Sequence, residues 1–202
     1  MKISEKVEMI DGSMANCYVI HQDDKILLID AGTKSTGRKI VNYFRQSGNK
    51  PDTVLITHYH PDHIGGLRMI YDEFKPQIYA PRVEIPVLTG KEKIEPTKSF
   101  LSKMVAGMSR IDPVEDVKES EGLQLPFIDV IPSPGHTPGS TSYLFKPENI
   151  LFVGDAFSVS SGEAKINKSF TADIPAAERS KEKLLSMKGV TVLPGHGSSM
   201  HL

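Results

Sequence analysis

A sandwich of two β-sheets with helices outside is the α/β architecture this sequence predicts, and three observations carry it. Short, β-rich apolar runs recur along the chain. Amphipathic helical segments stand among them in the first half and again near the end. The order is strands, then mixed α and β, then strands, then helix and strand, which suits two sheets covered by helices. At 202 residues and 39% hydrophobic, residues 1–202 read as one domain with one sizeable core.

Ile3–Ile10, Asn16–Ile20 and Ile26–Ile29 read as strands, with Asp11-Gly12 and Asp23-Asp24 as turn signals. Ile26–Ile29 is apolar throughout and is expected to be buried on both faces. It stops at Asp30-Ala31-Gly32, leaving a carboxylate at a strand end. Thr36–Ser47 is a helix with Ile40, Val41 and Phe44 on one face and Gly48 as its stop. Strand Thr53–Thr57, helix Ile64–Phe74 and strand Gln77–Ala80 follow.

Gly90–Arg110 breaks this rhythm. It sets Lys91, Lys93, Lys98, Lys103 and Arg110 against Glu92 and Glu95, with Phe100, Leu101, Met104, Val105 and Met108 at helical spacing. Two readings stand: a helical lid whose lysines meet an anionic leaving group, or a solvated amphipathic helix, the latter preferred. Leu123–Leu125, Phe127–Ile131, Ser140–Phe145 and Ile150–Val153 read as four short strands. Asp173 caps a last helix with Pro175 early in it and Gly189 just past its end, and Val190–Leu193 is the final strand.

A formal net charge of -1 implies no general polyanion-binding surface, so nucleic acid is not an expected partner. No run approaches a membrane span, and Met1–Asp11 has no apolar core of signal-peptide length. Cys17 is the one cysteine, so no internal disulfide forms; it reads as a small buried hydrophobe, and the expected location is cytoplasmic.

The chemistry concentrates in Thr57-His58-Tyr59-His60-Pro61-Asp62-His63-Ile64-Gly65-Gly66. In an extended segment His58 and His60 project to the same side, and after Pro61 the chain turns so that Asp62 and His63 open a helix. Gly65 and Gly66 permit close backbone approach at the helix start. His136, Asp155 and His196 each sit in a Gly/Pro-rich turn after an apolar strand. Five of the 7 histidines therefore fall in strand-end motifs, which core packing does not explain. His58, His60 and His136 can hold one ion and Asp62, His63 and His196 a second, with Asp155 bridging. Asp30 is expected to orient a ligand histidine or cap the motif loop, and both roles are compatible. Tyr59 faces substrate or packs under the loop; His21 and His201 read as surface residues.

These motifs, with Gly135-His136-Thr137-Pro138-Gly139, Phe152-Val153-Gly154-Asp155 and Pro194-Gly195-His196-Gly197, resemble the metallo-β-lactamase-fold hydrolases, in the branch of glyoxalase II and related small hydrolases. Ile29-Asp30-Ala31-Gly32 matches as well, so the resemblance spans about Ile26 to Gly197. It implies an αβ/βα four-layer sandwich, two zinc ions (iron or manganese being alternatives), a metal-bridging hydroxide and a small ester, thioester or lactone substrate. Asp62 would then both bind the second ion and move the proton of the nucleophile. Homodimers are common among such proteins, but the sequence locates no interface. The chain runs to Leu202, so a version without the C-terminal helical domain of glyoxalase II is expected. The competing reading is a persulfide dioxygenase with a single iron on His58, His136 and Asp155. A phosphodiesterase or nuclease ranks lower on charge.

Overall fold

The structure is a computed structural model describing residues 1–10, 12, 14–108 and 110–202, with Met108 described in its backbone only. Asp11 of the Asp11-Gly12 turn and the Met108 side chain fall outside the described residues.

β1 (Val7–Ile10), β2 (Cys17–Gln22) and β3 (Lys25–Ile29) form an antiparallel meander. α1 (Lys34–Ser47) follows, started by the Thr33 side chain and stopped at Gly48, whose φ of 70° supplies the left-handed cap. β4 (Thr53–Leu55) then lies parallel to β3. The helix expected over Ile64–Phe74 is two pieces, α2 (Pro61–Ile64) and α3 (Leu67–Phe74). The break lies at Gly65-Gly66, where a Cβ on Gly66 would collide with the Ala31 carbonyl oxygen and with Gly37 of α1. That contact lets α3 pack against α1.

β5 (Gln77–Ala80) matches its expected range. After it come α4 (Ile85–Leu88), α5 (Phe100–Met108) and β6 (Val117–Glu119), which completes one sheet in the order β1-β2-β3-β4-β5-β6. Among the described residues of the Gly90–Arg110 excursion, only Phe100–Met108 is helix. Leu123–Leu125 is not a strand: Ser120–Gly122 is a tight helical turn, and Leu123 and Leu125 instead pack against the core between the sheets.

β7 (Ile128–Pro132), β8 (Thr141–Phe145) and β9 (Ile150–Gly154) form the second meander. β10 (Ser158–Ser160) and β11 (Glu163–Lys165) make a hairpin that sequence reading missed. α6 (Ile174–Leu185) has Asp173 as N-cap but ends at Ser186, so Gly189, at φ 68°, belongs to the turn into the next strand. β12 (Thr191–Pro194) pairs parallel with β9, and β13 (Met200–His201) closes the sheet at its edge.

Period-two alternation sorts the strand side chains into layers. Tyr18, Ile20, Leu27, Ile29 and Leu55 face Tyr143, Phe145 and Phe152 between the two sheets. Val19, Leu28 and Val54 point the other way, onto Ile40 and Phe44 of α1 and Ile70 of α3. On the second sheet Leu151, Val153 and Val192 turn outward onto Leu184 of α6. The result is helix, sheet, sheet, helix, the four layers expected. No helix among the described residues is long and apolar enough to cross a membrane.

Candidate metal centre

Five strands deliver the candidate ligands from one edge of the sandwich. β3 ends at Asp30, β4 runs into His58 and His60, β7 into His136, β9 into Asp155 and β12 into His196. Bonds between the layers fix this edge. Tyr143 donates to the Ile56 carbonyl at 2.8 Å, Tyr18 to the Pro194 carbonyl at 2.7 Å, and the Thr141 amide to the Thr57 carbonyl at 3.0 Å.

All seven predicted residues meet there. The ligand atoms of His58, His60 and His136 lie within 4.8 Å of one another, as do those of His58, His63 and Asp155 and those of Asp62, His63 and His196. Asp155 reaches both ends: its carboxylate lies 3.2 Å from His63 Nε2, 3.3 Å from His136 Nε2 and 3.2 Å from His196 Nε2. His196 Nε2 also lies 3.2 Å from Asp62.

The donor chemistry fits a cation. His58 Nε2 is buried without a hydrogen-bond partner, and His63 Nε2 and Asp155 Oδ1 face each other at 3.2 Å without hydrogen-bond geometry, an arrangement that is costly unless something else satisfies them. His63 Nδ1 donates to Asp30 Oδ2 at 2.7 Å, which leaves Nε2 as the inward-facing nitrogen. Asp30 also accepts from the Thr57 amide and hydroxyl, both at 2.8 Å. Its φ of 59° swings the carboxylate back across the strand end, a turn Asp tolerates better than most residues. Orienting His63 and capping the loop are thus the work of one side chain. Tyr59 is buried in the core cluster beneath the loop, which settles its placement as packing.

Electrostatically the cluster divides. Burial, helped by neighbouring imidazoles, holds His58 well below the usual histidine range, brings His60 down to about 3 and lowers His136. Burial opposes charge on His63 and His196 too, but carboxylates outweigh it. Asp155, Asp30 and Asp62 raise His63 well above its ordinary value, and hydrogen bonds to Asp155 and Asp62 lift His196 to about 10. Burial would likewise push Asp155 up, yet His63 and His136 hold it well below the carboxylate range.

A cavity of about 180 Å³ opens onto Asp62, Asp155, His60 and His196. Pro61, Ile94, Val105, Ala106 and Phe170 give it apolar walls, with Met14, Ser102 and Asn167 completing the lining. Its two sides are strapped together, since Thr97 Oγ1 donates to the Ser169 carbonyl at 2.8 Å while the Thr97 amide donates to Ser102 Oγ at 2.9 Å. Among the residues lining it there is no lysine or arginine, so the lysines of 91–103 do not face the ligands from this cavity.

Sequence reading missed Glu84. It is fully buried at the start of α4 and accepts three hydrogen bonds from the loops carrying His58, His60 and His136. No local signal marks it. His21 is half-buried against Glu8, and His201 is exposed at the edge strand.

Comparison with known proteins agrees with this geometry. The family model of the metallo-beta-lactamase superfamily matches residues 10–196. The probable metallo-hydrolase YflN of Bacillus subtilis (strain 168) is 31% identical, over 93% of this chain and 82% of its own length. A hydroxyacylglutathione hydrolase of Nitrosomonas eutropha (strain DSM 101675 / C91 / Nm57) is 29% identical, over 68% of this chain and 44% of its own. Among solved structures, TTHA1623 in a di-iron-bound form superposes with a TM-score of 0.76 at 26% identity, covering 95% of this chain and 92% of that one. With its family model matched almost end to end and its ligand-type side chains gathered at one sheet edge, the chain belongs to the metallo-beta-lactamase superfamily.

Proposed function

We propose that this protein is a metal-dependent hydrolase with two ions, zinc being the expected pair, acting on a small ester or thioester with an uncharged, apolar acyl group. The observation that carries the reading is that Asp155 lies within 3.3 Å of imidazoles from both candidate sets, beside the unpartnered buried Nε2 of His58. His58, His60 and His136 would hold one ion, and Asp62, His63 and His196 the other. A mononuclear iron dioxygenase needs only His58, His136 and Asp155, and it leaves the second set without a use. When bound, such a pair supplies Lewis acidity that lowers the pKa of water and polarises the bond attacked.

The chain's own residues supply the rest. Asp62 lies at the boundary of the ligands and the cavity, and its carboxyl is held below its usual value: burial opposes this, but His63 and His196 prevail. It is therefore ionised at neutral pH and can take a proton at a carboxylate oxygen, then return it to the leaving group. The Ile94, Val105 and Phe170 walls exclude water and receive the acyl chain. The absence of a cation in the lining disfavours an anionic acyl portion.

The test is metal analysis of protein purified without chelator, followed by rates on acyl thioesters and esters of graded chain length. Two ions per chain with metal-dependent turnover of short apolar acyl substrates is the expected result. No tight binding of zinc, iron or manganese would sink the proposal. A single iron with oxygen uptake on a persulfide would transfer the assignment to the dioxygenase.

A further inference from the structure

Three donors from two separate loops end on one buried carboxylate that no ligand scheme uses. Glu84 is 0% exposed. Its Oε2 accepts from the Tyr59 amide at 2.8 Å, and its Oε1 accepts from the Gly139 amide at 2.7 Å and the Thr137 hydroxyl at 2.9 Å. Tyr59 stands between His58 and His60, and Thr137 follows His136 directly. All three imidazoles of one ligand set therefore ride on backbone pinned by a single side chain. The close fit extends to Gly139, where a Cβ would lie 2.5 Å from Glu84 Oε1 and drive the carboxylate away.

Packing alone does not explain the residue. Among the described residues no cation is paired with Glu84, and burial pushes its carboxyl up to about 7 in spite of the three donors. An apolar side chain would fill the space at less cost if volume were the requirement. What the carboxylate adds is two adjacent acceptors that set the separation of the His58–His60 and His136 loops.

We propose that Glu84 is the positioning residue for the His58–His60–His136 set, bridging the two loops so that their ring nitrogens converge on one ion. The proposal rests on the metal-centre reading above.

Zinc titration of the full chain against a competing chelator tests it, on wild type, Glu84→Leu, Glu84→Gln and Leu184→Ala. Leu184, on α6, packs in the outer core and is neither a candidate ligand nor a hydrogen-bond partner of one, so it controls for lost stability. Glu84→Leu is expected to keep one zinc at wild-type affinity and to bind the other about 10- to 100-fold more weakly, the usual effect of removing a ligand's support. Glu84→Gln accepts at one oxygen only and should fall between Glu84→Leu and wild type, with Leu184→Ala melting earlier yet binding both ions normally. Two wild-type affinities in Glu84→Leu, or equal weakening of both sites, would overturn the proposal. If Glu84→Leu does not fold, Glu84→Gln is judged on the same criterion. Wild type that binds no zinc would instead remove the metal-centre reading, and this one with it.

Discussion

The half of the candidate centre made by His58, His60 and His136 is all imidazole and reaches the cavity only at His60, whereas the half made by Asp62, His63 and His196 is acid-rich and meets the cavity at Asp62 and His196. His58 and His136 are 0% and 1% exposed, against 20% for the Asp62 and 33% for the His196 side chain. Two buried carboxylates fasten the halves: Glu84 holds the loops of the first, while Asp30 orients His63 of the second and also caps the His58 loop through Thr57, whose hydroxyl lies 3.0 Å from His58 Nδ1. The difference teaches that one fold edge can carry two unlike donor sets: one kept neutral by burial, and one whose imidazoles are held protonated by neighbouring carboxylates.

The strongest way to break the comparison is to remove the acid at the open half. Asp62→Ala is expected to cut turnover by about 10²- to 10⁴-fold, the range for loss of a general acid–base group. Near-wild-type rates with both ions bound would end the assigned role of Asp62. Next, Asp30→Asn should weaken one ion about 10- to 100-fold through loss of the His63 hydrogen bond. Chelator competition reads it, and the affected ion must be the one that Glu84→Leu spares; if both variants weaken the same ion, the two halves are not separately fastened.

The halves should also differ towards protons. His63 and His196 have raised pKa values and hold protons at neutral pH, so a cation bound there must displace them. His58, His60 and His136 have lowered values and are neutral already. Affinity at the acid-rich half is therefore expected to fall as pH falls, while the imidazole half holds to lower pH. Calorimetric zinc titrations in buffers of different ionisation enthalpy would show the two equivalents releasing protons unequally, by about one proton or more. Equal release would contradict the division. The smallest effect is expected at the cavity: Ala106→Leu narrows it and should shift the preferred acyl chain shorter, by about 10-fold in relative kcat/KM. An unchanged chain-length profile would place the acyl group elsewhere.

The candidate ligands were legible because each sits in a turn whose spacing is local. His58 and His60 two apart, Pro61 starting α2, and glycines around His136 and His196 all speak through neighbours in the chain. Gln77–Ala80 and the Gly48 stop were legible for the same reason. Leu123–Leu125 misled because two leucines beside a tight helical turn look like a strand when both merely point into the core. The β10–β11 hairpin carried no clear alternation, and α5 was read too long because charged residues 91–98 share its flank.

What the sequence determined by itself was the layered class and the identity of seven ligand-type side chains, since periodicity and turn chemistry act over a few residues. What only the tertiary structure decided was which of them share a subsite, that apolar walls rather than lysines line the cavity beside them, and that Glu84 matters at all. Its partners lie 25 to 55 residues away along the chain, and no local pattern encodes a bond that exists only once two sheets have closed on each other.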